Sequence, residues 1–259
     1  MRLLIVLACV ALVSPRALVA QDRSDFRWEK ALESGQRVHV HNINGDVTVT
    51  ASSSGRVEIV GIRRGSGRGA NRLTAEVHET SDGVVVCVVH EDSDDDCDDR
   101  GYHSHDRDDW DRGSMDLEIK LPRNLEIDAS SVSGNVSVAG AQGNVRANSV
   151  SGDVRLERLR VSSLRVQSVS GEVTASIESL IGDGSLSFKT VSGDVTLELP
   201  RNLDADLSMT TVSGNIDSDF EMTLGGRRSR RGIEARIGRG GRDLDVSTVS
   251  GDLRLRMAR

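Results

Sequence analysis

A twelve-residue pattern, apolar-x-apolar-x-Ser/Thr-Val-Ser-Gly-acid/amide-apolar-x-apolar, constrains this chain more than any other feature. Its copies are IDASSVSGNVSV from 127, VRANSVSGDVRL from 145, LRVQSVSGEVTA from 164, LSFKTVSGDVTL from 186, LSMTTVSGNIDS from 207 and LDVSTVSGDLRL from 244, with one departure at the end of the 207 copy. VHVHNINGDVTV from 38 fits the same frame, with Asn for the upstream Ser/Thr and Ile43 and Asn44 for Val and Ser. Alternation on both sides of the glycine predicts a short half-buried strand, a corner and a second short strand. Glycine supplies the backbone freedom of a tight corner and Asp or Asn bonds nearby backbone. Gly45, Gly134, Gly152, Gly171, Gly193, Gly214 and Gly251 are therefore read as structural turns.

The motif valines at 132, 150, 169, 191, 212 and 249 are separated by 18, 19, 22, 21 and 37 residues, the last step long enough for two ordinary units. A unit near twenty residues cannot bury its own apolar face, so successive units must stack. The expected fold is all-β, a single-stranded parallel β-helix or β-solenoid with coils of about 18–22 residues. Its inward ladders are Ile127, Val145, Leu164, Leu186, Leu207, Leu244 and Ala129, Ala147, Val166, Phe188, Met209, Val246. Val136, Val154, Val173, Val195, Ile216 and Leu253 stand opposite. Val150, Val169 and Val191 are expected to lie side by side and to face the aliphatic column rather than solvent.

Three regions follow. Residues 1–20, MRLLIVLACVALVSPRALVA, have the layout of a secretory signal peptide cleaved near Ala20, and Cys9 has too short an apolar run before it for a lipoprotein site. Residues 21–120 hold the first coil, the strand-like runs RVEIVGIRR, RLTAEVHET, GVVVCVVH and SMDLEIKL, and an acidic loop over 91–111; these runs fit either wider coils or a small capping sheet. Residues 121–259 are the regular repeats. LPRNL occurs at 121 and at 199 and is read as a linker between coils. No later run is apolar enough to span a bilayer, so the expected location is secreted, periplasmic or cell-surface.

Residues 91–111 contain eleven acids and two arginines, while the whole chain has a net charge of −7. Such a run is ordinarily a solvated loop. Asp94, Asp95, Asp96, Asp98, Asp99, His103 and His105 are the candidate metal ligands, for calcium through the carboxylates or zinc through the histidines, but the spacing matches no EF-hand or calcium β-roll. His39 and His41 form a second His-x-His pair and are read as surface histidines. Cys87 and Cys97 flank the start of the loop; outside the cytoplasm they read as a disulfide, with thiolate metal ligation as the rival. The segment 225–242 has seven arginines and one glutamate. Without interleaved aromatics it does not read as a nucleic-acid surface, and anionic polymer or another copy's acidic loop suits it better.

No enzyme signature emerges. The serine of VSGD has no fixed base and is not a GxSxG nucleophile. Asp153, Glu172 and Asp194 stack as a carboxylate row, the one feature suggesting glycan hydrolysis or lysis, but exposed neighbours repel by only about 0.9 kcal/mol and need no catalytic reason. The expected cofactor complement is none. The remaining outward positions, such as Arg146, Asn148, Arg165, Gln167 and Lys189, are polar and lack aromatic platforms for sugars.

The signal peptide, the opening at 38–49, VCVV with its later Cys97, and the terminal LDVSTVSGDLRL together resemble the bacterial putative-adhesin family, domain of unknown function 4097. The resemblance covers most of the mature chain and implies a secreted β-solenoid with an adhesion-like role and no catalytic residues. The chain departs from that pattern in the acidic extension after Cys87. The expected function is thus a non-enzymatic extracytoplasmic scaffold whose partners are cell-surface or envelope components. The alternatives are a calcium-dependent binding module and a β-helix enzyme acting on polysaccharides.

Overall fold

The computed structural model describes residues 25–65, 72–90, 96–98, 101–103, 113–225 and 232–258. The predicted signal peptide and most of the acidic segment 91–111 lie outside them. Every described element is a β-strand, apart from one residue in a 3₁₀ turn. No helix among the described residues is long and apolar enough to cross a membrane.

The repeats stack in register as two columns of strands that meet at the Ser-Gly corner. In the first column Ile127 lies beside Val145, then follow Leu164, Leu186, Leu244 and Leu207. Ala129, Ala147, Val166, Phe188, Val246 and Met209 form the neighbouring inward row in the same order. In the second column Val136, Val154, Val173, Val195, Leu253 and Ile216 run parallel to them. Apart from the half-buried Ile216, these side chains are buried in one continuous core. Full burial of a Val or Leu side chain stabilises by about 1.5–3 kcal/mol, so each rung is held mainly by what it packs on its neighbours. The LPRNL segments are tight turns: Leu125 N–H donates to the Pro122 carbonyl and Leu203 N–H to Pro200, while Leu121, Leu125, Leu199 and Leu203 all enter the core.

Three features depart from a purely parallel β-helix with outward turns. First, the sheet is mixed. Gly83–His90 extends the first column and Ser114–Pro122 the second, both parallel to their neighbours, so these runs do continue the ladder. Leu73–Thr80, Val57–Arg64 and Phe26–Lys30 then add antiparallel strands at that end. Gly232–Ile237 does the same at the other end, antiparallel to Ala205–Ser213. Antiparallel closure leaves no full-length parallel edge for another chain to extend.

Second, sequence order is not spatial order. The 37-residue step does not hold two further coils. After Ile216–Ser218 the chain makes an antiparallel excursion through Met222–Leu224 and Gly232–Ile237, then returns as Asp243–Ser250 to lie between Leu186–Lys189 and Ala205–Ser213. The reason is the strength of the second strand. Leu253–Met257 offers two fully buried leucines, whereas Ile216–Ser218 is three residues long and carries Ser218 where an apolar residue recurs in every other copy. The better rung occupies the interior and the poorer one the end.

Third, the motif valines point outward. Val150, Val169 and Val191 are neighbours, as their flanking pairs show, but each is nearly half exposed. Alternation explains this. The inward places before the corner are 145, 147 and 149, so Ser149 turns in and Val150 must turn out. A hydroxyl has displaced the aliphatic residue from the column at each of the six VSG corners.

Candidate functional site

The corner is built from three repeated groups. The inward Ser or Thr donates to the glycine carbonyl of the adjoining coil: Ser131 to Gly45 at 3.0 Å, Ser149 to Gly134 at 3.0 Å, Thr248 to Gly193 at 3.2 Å and Thr211 to Gly251 at 3.1 Å. Ser168 occupies the same place, yet its buried hydroxyl finds no partner. In the first coil Asn42 replaces the hydroxyl, and its longer amide donates both to Gly45 and to the Met115 carbonyl at 2.8 Å. The glycines are required by crowding. A Cβ on Gly193, whose φ is 149°, would overlap the Gly171 carbonyl oxygen.

The acid/amide position caps the next coil. Asp46 Oδ1 accepts from Asn135 N–H, Asn135 Oδ1 from Asp153 N–H, Asp153 Oδ1 from Glu172 N–H, Asp194 Oδ1 from Asp252 N–H and Asp252 Oδ1 from Asn215 N–H, all at 2.8–2.9 Å. Glu172 interrupts the series, since its extra methylene carries its carboxylate past the equivalent amide. Arg254 bridges Asp194 and Asp252 at 2.6 Å each and holds the Asp194 carboxyl below its ordinary range. That direction is opposite to the raised value a general acid needs. Asn135, Ser137, Asp153, Arg155, Glu172 and Thr174 line a shallow polar depression of 240 Å³ beside this row.

Outside the first column run three parallel rows. Nearest the corner is the rail of Ile43, Val132, Val150, Val169, Val191, Val249 and Val212, whose valines are 46–55% exposed. Next come His41, Ser130, Asn148, Gln167, Lys189, Ser247 and Thr210, and beyond them His39, Asp128, Arg146, Arg165, Ser187, Asp245 and Ser208. Asp128 approaches Arg146 at 3.8 Å, and Lys189 approaches Asp245 at 3.4 Å. Arg165 has no ion-pair partner among the described residues. Arg146 and Arg165 therefore stand side by side as like charges, a placement that weakens a sheet.

His39 and His41 share this outer face but are part-buried rather than freely exposed. His39 lies 3.9 Å from Asp128 and 4.0 Å from Asp82, and His41 Nδ1 lies 3.0 Å from Ser130 Oγ. Burial lowers both pKa values, outweighing the attraction of Asp128. No group of three or more His, Cys, Asp or Glu able to hold a metal forms among the described residues. Of the predicted metal ligands, Asp94, Asp95, Asp99 and His105 lie outside those residues; Asp96, Asp98 and His103 are described only as backbone of the short hairpin Asp96–Asp98 and Gly101–His103.

Cys87 and Cys97 form a disulfide, with Cα atoms 6.0 Å apart. It explains why Gly83–His90 is buried on both faces: Val84, Val86 and Val88 enter the main core, while Val85, Cys87 and Val89 form a second cluster with Cys97. One important residue carried no signal in the sequence. Arg242, one of seven arginines in the basic segment, is buried and donates to the carbonyls of Ser162, Ile181, Gly182 and Gly184. It ties the turn after Val173–Leu180 to the returning chain.

A family model described as Toastrack DUF4097 matches residues 110–180 and 144–256, together more than half of the chain. The chain belongs to this family. The Toastrack match begins just ahead of Ser114–Pro122 and spans all six VSG corners, so it covers the ladder from Glu126–Ser133 onward and its C-terminal cap, and leaves out the earlier strands of residues 37–90. No curated protein matches the sequence. Among solved structures, a "putative cell adhesion protein" from Clostridium sporogenes superposes with a TM-score of 0.54 at 10% identity, covering 90% of this chain and 99% of that one. A "putative adhesin" from Bacteroides fragilis gives a TM-score of 0.42 at 13% identity, covering 90% of this chain and 96% of that one. At such identities the first likeness speaks for the Toastrack fold alone.

Proposed function

We propose that this Toastrack protein is a non-enzymatic, extracytoplasmic scaffold that contacts cell-surface or envelope components through the outer face of its first column. The observation that carries this reading is a division of labour at the corner. Nearly every repeated hydroxyl and carboxyl is spent on capping the neighbouring coil, whereas Asn148, Arg165 and Gln167 take no part in that capping and Arg146 meets only Asp128 on the outer face. Groups held in rows about 4.8 Å apart suit an extended partner better than a single small substrate. Arg165, without an ion-pair partner among the described residues and beside Arg146, favours an anionic one. The Cys87–Cys97 bond and the signal-like N-terminal sequence support an oxidising compartment, and the likeness to a "putative cell adhesion protein" agrees with a surface role.

The test is retention of the purified protein by cell-surface fractions, comparing the parent with R146E/R165E. Retention that falls at least tenfold in the variant, with an unchanged melting curve, is expected. Retention that ignores the substitution, or turnover of an acidic glycan by the parent, sinks the reading.

A further inference from the structure

The valine rail is the one outer row that water should not want. Seven successive coils keep a β-branched apolar residue at an outward place, while the two rows beside it are polar or charged throughout. Six steps of about 4.8 Å make the rail roughly 29 Å long. Scattered surface valines need no explanation, but a continuous apolar line bordered by polar rows marks a contact surface.

We propose that the rail is the self-association surface of this protein, closed by a second copy related by a two-fold axis parallel to the rail. Charge decides the partner and the direction. On one side of the rail, three central coils carry Arg146, Arg165 and Lys189; on the other side, the same coils carry Asp153, Glu172 and Asp194 at the corner. Such an axis sets each coil against its equivalent and reverses the strands. Arg165 then meets the partner's Glu172, and Arg146 the partner's Asp153. Among the described residues Arg165, Asp153 and Glu172 all lack an ion-pair partner within the chain, while Arg146 shares its guanidinium between Asp128 and the partner's Asp153. The other face-to-face arrangement, with the rails antiparallel, sets one acidic corner against the other and repels. Because the axis preserves height along the rail, each valine of one copy packs against its equivalent in the other.

The area is consistent with a reversible dimer. A face about 29 Å long and about 20 Å wide covers roughly 600 Å² per copy, near the lower bound for specific interfaces, so association in the micromolar range is expected rather than an obligate pair. Arg146 and Arg165 serve both readings; V169N, which leaves both arginines in place, separates loss of the dimer from loss of outer-face binding.

Sedimentation velocity on the whole secreted protein, alone in solution, tests this. A concentration-dependent dimer is expected, and V169N, which keeps the fold because the site is solvent-facing, weakens it at least tenfold. R165E weakens it as well, and R165E/E172R restores it, because both members of the symmetric pair are exchanged. In V132C, oxidation gives a covalent homodimer, since Val132 faces its own equivalent only about the parallel axis. A monomer at about 100 µM, far above the expected range, overturns the proposal. So does V169N associating as tightly as the parent, or a V132C that links only when mixed with V249C, the signature of antiparallel rails.

Discussion

Residues 126–199 build successive coils by repetition, whereas residues 25–122 reach the same core with strands that run both ways. In the first region every corner carries an inward hydroxyl and a glycine pressed on the preceding glycine carbonyl, and every corner but that of Glu172 carries an Asx that caps the next coil. In the second only Arg37–Asn44 and Val47–Ser52 meet at such a corner, and Asn42 takes the hydroxyl's place to reach Met115, because the next strand pair has no glycine to receive it. The difference separates propagation from termination. A rung of the repeat type presents its successor with an identical surface, so the ladder has no intrinsic end; ending it requires antiparallel strands, whose hydrogen-bond pattern a further repeat does not continue.

The largest break in that comparison comes from the corner glycines. G193A places a methyl group on the backbone carbonyl of Gly171, where neither strand can yield, and a loss of about 4 kcal/mol or failure to fold is expected. Gly35 has a φ of 85° but open space around it, so G35A costs only about 1 kcal/mol of backbone strain. Urea unfolding of the two variants checks this; equal losses would mean that the coils are not in close backbone contact.

Core truncation should follow the same division. Phe188 is the largest fully buried side chain and sits mid-ladder, so F188A is expected to cost about 3–5 kcal/mol. Phe26, on the antiparallel end strand, is only partly buried, and F26A should cost under about half of that. The disulfide belongs wholly to the terminating region. C87A/C97A should remove about 3 kcal/mol, and amide exchange should quicken in 83–90 while 145–199 keeps its protection. Uniform loss of protection would make the two regions one cooperative unit.

A pH titration sharpens the contrast further, because both part-buried histidines lie in the first coil. His39 faces Asp82, Asp128, Arg37 and Arg146, and His41 faces Asp128 and Ser130; burial lowers both pKa values in the folded state. Below 6.5 the unfolded chain takes up these protons first, so stability falls as pH drops from 6.5 toward the folded values and is level above. The melting temperature should decline by a few degrees between about pH 7 and pH 5, and H39N/H41N should flatten the curve. Asp194, whose carboxyl is held low by Arg254, adds a loss only at more acidic pH.

Much of this was legible because two periods coincide. Period two within a strand and a period near twenty along the chain leave one register for Ile127, Val145, Leu164 and Leu186, and the coils adopt it. The orientation of Val150 was written in the same alternation, but its hydrophobicity argues the other way, and only the bond from Ser149 to Gly134 shows why a hydroxyl is preferred inside. The insertion of Asp243–Ser250 was not legible, since it depends on a competition between Leu253 and Ile216 for an interior place that no local pattern expresses. Arg242 was hidden for a similar reason: its partners are carbonyls of turns some sixty to eighty residues earlier.

The finest distinction lies between two serines of the same repeat. Ser149 donates to Gly134, so S149A leaves that carbonyl without its hydroxyl donor and should cost about 1 kcal/mol, or 2–4 °C in melting temperature. Ser168 holds the equivalent place with a buried hydroxyl that bonds to nothing, so S168A removes an unsatisfied polar group at no loss of a bond and should be neutral or slightly stabilising. Thermal melts of the two variants side by side decide whether the hydroxyl ladder contributes coil by coil. Equal destabilisation would mean that Ser168 does bond to the Gly152 carbonyl in solution, and that the ladder is unbroken from Ser131 to Thr211.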